Sequence, residues 1–393
     1  MKRILFGLLF CCFFCNTVVQ PAPARASDDL AAEVAALKVK LSELEARMEE
    51  QKSAPAVQSA DRSLLGKWNP SIGVVADIVA KLDSPKEDAE GSDRISAREV
   101  EIVFGSDIDA YSRLDVTVSF SDFEDAGLEE AYVTRFGLPF DTIARLGKFK
   151  PKVGKAIPVH RDSLETVDEP LVIQRYFGAE GYNKAGLDVT TLLQTGLPVT
   201  QEVSIGMLEG GNGEEGALFG DTRRRPTMYS HLKNYVDISD ETNAEWGFSY
   251  LAGSRDEDAD FEVQVLGSDL TLKHQLSANQ ALKLQGEVFN VNREETEDDL
   301  DGNIWGWYGL ADLRVAPQWS VGFRYDNVQP VDNPLENLQE EDTGYTGYVT
   351  FSQSEFARWR VQASQFDLSD GNKDTQIMLQ GTFAIGEHKH KIQ

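Results

Sequence analysis

The 393-residue chain carries 65 acidic residues against 38 basic ones, and its formal charge of −27 repels nucleic acid. All three cysteines (Cys11, Cys12 and Cys15) lie near the N-terminus, so the rest of the chain has no disulfide, cysteine nucleophile or thiolate metal site. No stretch offers the ~20 apolar residues of a membrane-spanning helix.

Residues 1–26 read as a secretory signal peptide. Lys2 and Arg3 precede the apolar run "ILFGLLFCCFFC", and Ala24 and Ala26 supply small residues before a cut near Ser27. Phe10 and Phe14 stand before Cys11 and Cys15 where a lipoprotein would carry a small residue. Cleavage removes Lys2, Arg3 and Arg25 and no acids, leaving 35 basic and 65 acidic residues, a net charge of −30.

Residues 27–50 are expected to form a coiled-coil helix. Leu30, Val34, Leu37, Leu41, Leu44 and Met48 are spaced alternately by four and three, a strict heptad seam. Asp28 and Asp29 suit the positive end of the helix dipole. Glu33 with Lys38, and Lys40 with Glu45, would attract across a parallel assembly. The alternative is a single amphipathic helix. Three heptads are marginal alone, so the assembly needs support from the rest of the protein. Residues 51–66 form a polar linker rich in Ala and Ser.

From Trp68 the pattern changes to period two. Leu114, Val116, Val118 and Phe120 alternate with Arg113, Asp115, Thr117 and Ser119; Val203, Ile205 and Met207 alternate with Glu202, Ser204 and Gly206. Sixteen candidate strands lie near 68–80, 95–104, 109–120, 128–136, 142–150, 184–195, 199–209, 227–237, 242–252, 261–275, 280–291, 304–315, 318–327, 343–351, 356–367 and 374–386. Seven short turns, among them "GSDID", "TGLP" and "APQ", alternate with eight longer and mostly acidic loops. A sandwich has no reason to sort its loops in this way. The asymmetry is that of a bacterial outer-membrane barrel with short periplasmic turns. The fold class is therefore all-β: an antiparallel 16-stranded transmembrane β-barrel over 67–393, preceded by the short coiled coil. An even strand number puts both chain ends, and the coiled coil, in the periplasm. Around Arg98–Phe104 and Glu129–Arg135 neither parity is cleanly apolar.

The segments "EEAYVTRFGLPF" (Glu129–Phe140), "RLGKFKPKVGK" (Arg145–Lys155) and "DEPLVIQRYFGAEGY" (Asp168–Tyr182) resemble the bacterial porin family related to the phosphate-selective porins. In that family a Gly-Lys/Gln-Phe-Lys-Pro strand end leads into a long loop. The likeness is most specific over 130–182. It implies a trimeric, sixteen-stranded channel whose third external loop folds inward to narrow the pore. Here Pro151–Asn183 is the longest loop, independently of the resemblance. The chain shows no obvious ladder of pore arginines of the phosphate-specific kind and lacks a terminal aromatic residue.

The lysines of "RLGKFKPKVGK" define the candidate site. Lys148, Lys150 and Lys152 take alternate positions, and Lys155 follows. A lysine facing hydrocarbon costs about 2–4 kcal/mol near the midplane, so the row is expected to face the water-filled lumen, opposite Gly147, Phe149 and Val153. Pro151 cannot donate to a sheet ladder and marks the strand end. Lys148, Lys150, Lys152, Lys155 and Arg161 are thus the expected anion path at the constriction. The competing reading pairs these lysines with lumen acids or with Asp162, Glu165 and Asp168.

The expected function is passive diffusion of small hydrophilic solutes or ions across the outer membrane, with a local preference for anions, by a homotrimer in contact with lipid and lipopolysaccharide. No catalytic constellation, cofactor motif or metal site is expected. Glu387, His388 and His390 read as a polar C-terminus, and the runs Asp256–Asp260 and Glu294–Asp301 as solvated loops rather than cation sites. Trp305, Trp307, Tyr308, Trp319 and Tyr325 read as interfacial aromatic belts. The alternatives are a substrate-specific transporter or receptor for a metal or other nutrient, then an adhesin or hydrolase. A TonB-dependent importer would need a plug domain and about 22 strands.

Overall fold

The structure, a computed structural model, describes residues 70–84, 95–122, 126–179, 181–210, 218–219, 225–255, 261–294, 302–331 and 341–386. The signal peptide, heptad helix and linker lie outside them, as do Asp256–Asp260, most of Glu294–Asp301 and the C-terminal histidines.

The barrel belongs to the compact unit Trp68–Gln393. Its strands are β1 (Ser71–Ser84), β2 (Ile95–Asp109), β3 (Ser112–Phe120), β4 (Gly127–Leu138), β5 (Thr142–Phe149), β6 (Lys184–Leu193), β7 (Thr200–Leu208) and β8 (Thr227–Ser239). They continue as β9 (Thr242–Ser254), β10 (Glu262–Ser277), β11 (Gln280–Arg293), β12 (Gly302–Ala316), β13 (Trp319–Val328), β14 (Asp342–Ser354), β15 (Ala357–Asp367) and β16 (Lys373–Gly386). Each pairs antiparallel with its sequence neighbours, and β1 closes on β16 with Val79 opposite Gln380. Closure removes every sheet edge, the condition for strands to cross a bilayer. One helix, α1 (Leu171–Phe177), lies in the β5–β6 connection.

Burial is inverted relative to a soluble sheet. Ser204 is fully buried while its neighbour Ile205 is 55 % exposed, and on β3 Asp115 and Thr117 are buried while Leu114 and Phe120 are exposed. The polar parity therefore lines the lumen and the apolar parity forms the outer wall, as in a transmembrane barrel. Aromatic residues collect at both rims: the rings of Trp307, Tyr325 and Tyr345 pack at a tilt with centroids 5.1–5.2 Å apart, and Trp319 meets Phe351 and Trp359 meets Phe383 beside the short turns. Tyr308 departs from the expected belt. It points inward, and its hydroxyl donates to Glu287 at 2.7 Å.

β2 runs five residues past the expected boundary at 104, leaving a two-residue turn at Ala110–Tyr111 where "GSDID" reads as the turn. The two stretches of irregular parity contain β-bulges. Asp77 faces Glu99 and Ile78 faces Ala97, so Arg98 is extra; Thr117 faces Glu130 and Val118 faces Leu128, so Glu129 is extra. A bulge turns two consecutive side chains toward one face. Arg98 with Glu99, and Glu129 with Glu130, are aimed at the lumen by this device.

Candidate functional site

The connection between β5 and β6 folds into the barrel, and its course begins at Gly147. Gly147 has φ +139°, and a Cβ there would collide with the Ala131 backbone carbonyl of β4. Glycine alone lets the two strands approach so closely. The chain leaves β5 after Phe149, and at Gly154 (φ +61°) it turns against the opposite wall. There Glu287 of β11 accepts hydrogen bonds from the backbone N–H groups of Lys155 (2.8 Å) and Ala156 (2.7 Å), and Ser249 of β9 accepts one from Gly154.

The middle of the loop crosses to β2 and β4, where His160 meets Glu101 (3.4 Å), Glu129 (3.2 Å) and Glu130 (3.2 Å). Burial opposes charge on His160, but these carboxylates outweigh it and hold the imidazole well above its usual range. Burial pushes the Asp162 carboxyl up, against the pull of His160 and Arg358.

Four arginines then clamp residues 162–168. Arg360 of β15 donates to the carbonyls of Leu164 and Thr166, both at 2.8 Å, and Arg358 donates to that of Asp162. Arg324 of β13 reaches the Thr166 hydroxyl (2.6 Å) and the Asp168 carbonyl (2.8 Å). Arg98, the bulged residue of β2, pairs with Asp77 and donates to the Val167 carbonyl at 2.9 Å. Asp326 accepts from the Leu171 N–H, which starts α1, and Arg175 pairs with Asp342 at 2.8 Å.

The loop also brings apolar side chains into the lumen. Val153, Ile157, Tyr176 and Phe177 pack with Phe149, Phe289 and Tyr308 of the wall in one buried cluster. At about 25 cal/mol per Å² of apolar area removed from water, such a cluster contributes several kcal/mol to holding the loop inward. On the side of the short turns the lumen opens into a cavity of about 590 Å³, lined by five carboxylates and five lysine or arginine side chains.

The lysine row is divided by this geometry. On β5 the inward residues are Arg145, Gly147 and Phe149: Arg145 pairs with the buried Asp188, and Phe149 packs against Tyr132 inside the lumen. Lys148 takes the other parity, between the exposed Leu146 and the strand end, and its Nζ donates to the Leu128 carbonyl at 2.6 Å. The apolar cluster inside the lumen reverses the alternation that a wholly polar lumen would impose. Lys150 is buried beside Glu129 (3.5 Å); burial opposes its charge, but Glu129, Glu169 and Glu101 prevail and raise its pKa.

Lys152 faces Thr190 (3.2 Å) and Glu202 (3.6 Å), and burial lowers its pKa against the pull of Glu202. Lys155 faces Glu245 and Asp269; burial brings it down to about 8, opposed first by Asp269. Arg161 donates to the Ala179 carbonyl within the loop. Sequence reasoning missed the arginine clamp. Its signal is the alternation of "ARWRVQ", which places Arg358 and Arg360 on the polar parity of β15, and of "GFRYD", which does the same for Arg324.

No protein-family model matches the chain. An uncharacterized protein of Aquifex aeolicus is 27 % identical over 321 residues, covering 73 % of this chain and 68 % of its own. Among solved structures, the fold resembles an anion-selective porin from Comamonas acidovorans (TM-score 0.56, 10 % identity, 81 % of this chain and 99 % of that one). OprB of Pseudomonas putida gives a TM-score of 0.56 at 11 % identity, over 83 % and 96 % of the two chains. The outer membrane channel DcaP of Acinetobacter baumannii gives 0.53 at 12 % identity, over 81 % and 96 %. The chain has the closed sixteen-stranded fold shared by these outer-membrane proteins.

Proposed function

We propose that the protein is an outer-membrane channel for passive diffusion of small hydrophilic solutes, narrowed by the inward loop 150–183. One observation carries this reading: a closed sixteen-stranded barrel with an apolar outer wall, a polar lumen, and its longest connection anchored inside. The fold likeness to outer-membrane porins supports it, and the bacterial outer membrane is the location it implies. The tie to the phosphate-selective porins rests on the motifs at 129–182.

The anion preference belongs to the same proposal. It is assigned to Lys152 and Lys155, which lie beside Glu202 of β7 and Glu245 of β9, and it is small because each has an acid partner. The heptad segment at 27–50 is assigned to a periplasmic coiled coil that supports a homotrimer. Liposome swelling with sugars of increasing size tests the channel: entry should fall smoothly with size. Proteoliposomes that swell no faster than empty ones would refute it.

A second reading, a substrate-specific channel, is favoured by the apolar cluster that the loop places in the lumen. Under that reading flux saturates for one solute class, whereas a general pore shows flux proportional to concentration.

A further inference from the structure

We propose that His160, Glu101 and Glu129 form a binding site for one divalent transition-metal ion of the zinc class, which fastens the middle of the loop to the wall. The three ligands come from three separate elements: the loop, β2 and the bulge of β4. Each offers one donor atom, and these lie within 4.8 Å of one another. His160 Nδ1 is 3.4 Å from Glu101 Oε1 and 3.2 Å from Glu129 Oε1. A tetrahedral ion with bonds of about 2.0–2.1 Å holds its ligand atoms about 3.3–3.4 Å apart.

The surrounding groups fit the same role. The second imidazole nitrogen, Nε2, lies 3.2 Å from Glu130 Oε2, and with a proton there it donates to that carboxylate. This is how an outer carboxylate orients a metal-bound histidine. The Nδ1 lone pair then faces two carboxylates, an arrangement that repels unless a proton or a metal cation lies between them. Glu129 Oε2 is buried with no hydrogen-bond partner, so a second oxygen is available to the ion. Lys150 Nζ, 3.5 Å from Glu129 Oε1, supplies one positive charge against Glu101, Glu129 and Glu130. A divalent ion with neutral imidazole brings that group to neutrality. The mixed nitrogen and oxygen donors select zinc or a neighbouring transition ion over calcium, which takes six or more oxygens. The bulge at Glu129 gives the site its shape, since regular pairing would turn one of the two glutamates outward.

The test uses the full-length protein in detergent, stripped with chelator and dialysed against micromolar zinc chloride with millimolar magnesium to occupy the acidic loops. The wild type should retain one zinc per chain. His160→Ala and Glu129→Gln should each weaken binding at least ~10-fold, and Glu130→Gln about 10–100-fold. Heat-modified mobility on gels confirms that each variant folds; if His160→Ala does not, Glu129→Gln carries the comparison. X-ray absorption of the zinc-loaded wild type should show imidazole and oxygen ligands at about 2.0–2.1 Å. Retention equal in wild type and folded variants, or a spectrum without imidazole, overturns the proposal. Such a result would leave the cluster as a protonated imidazole held among carboxylates.

Discussion

Replacing Arg360 with Met should release the inner edge of the loop while leaving the barrel closed. Met keeps an unbranched stem against the wall but removes the hydrogen bonds to the Leu164 and Thr166 carbonyls, to Gln380 (3.0 Å) and to Thr350 (3.1 Å). A hydrogen bond from a charged donor is worth about 1.5–3 kcal/mol net, and a buried acceptor left alone costs about 1–3 kcal/mol. Relief from burying the guanidinium offsets part of this. The remainder, about 3 kcal/mol, corresponds to roughly 100-fold faster local opening, since each 1.4 kcal/mol is a factor of ten. Hydrogen exchange followed by mass spectrometry on peptides spanning 164–168 reads that change directly. Peptides from β10 should exchange as in the wild type. Arg360→Lys should fall between the two, because one ammonium cannot reproduce the planar fork that serves both carbonyls. Exchange at 164–168 within twofold of the wild type would refute the clamp.

Three further outcomes follow from the same geometry. Leu270, exposed near the centre of β10, faces outward; Leu270→Arg should cost about 2–4 kcal/mol in refolding titrations into vesicles, and an unchanged midpoint would contradict the assigned face. Gly147→Ala should lose about 1–3 kcal/mol through backbone strain at φ +139°, measured by urea unfolding in vesicles. Lys155, near Glu245, Asp269, Glu287, Lys233 and Lys283, has a pKa of about 8, lowered first by burial, so it sheds its charge as pH rises through that value. The reversal potential in a salt gradient should therefore drift toward cations between pH 7 and 9, Lys152→Gln should move it the same way at pH 7, and Lys155→Gln should flatten the pH dependence.

The barrel was legible in the sequence because lipid and lumen impose opposite demands on neighbouring residues. The strand positions follow from that constraint, and the sorting of short turns from long loops follows from the different sides of the membrane that the two barrel ends face. The candidate site was legible only in part. Lys150, Lys152 and Lys155 each lie beside an acid of the barrel wall. Lys148 lies on the outer parity because Phe149 packs inward against the loop, and alternation cannot register an apolar cluster inside a polar lumen. The bulges at Arg98 and Glu129 explain why those stretches show no clean parity. Arg324, Arg358 and Arg360 bind backbone carbonyls far away in sequence, and carbonyls carry no residue signature. His160 is a lone histidine in sequence, and its three carboxylate neighbours come from two strands before the loop.

Single-channel recording of the purified protein in a planar bilayer tests the central claim most directly. The account predicts discrete, ohmic conductance steps that grow larger in Arg360→Met, where the loop is loosened. A heat-modifiable, fully folded barrel that inserts and yet passes no current, in wild type and in Arg360→Met alike, would contradict it.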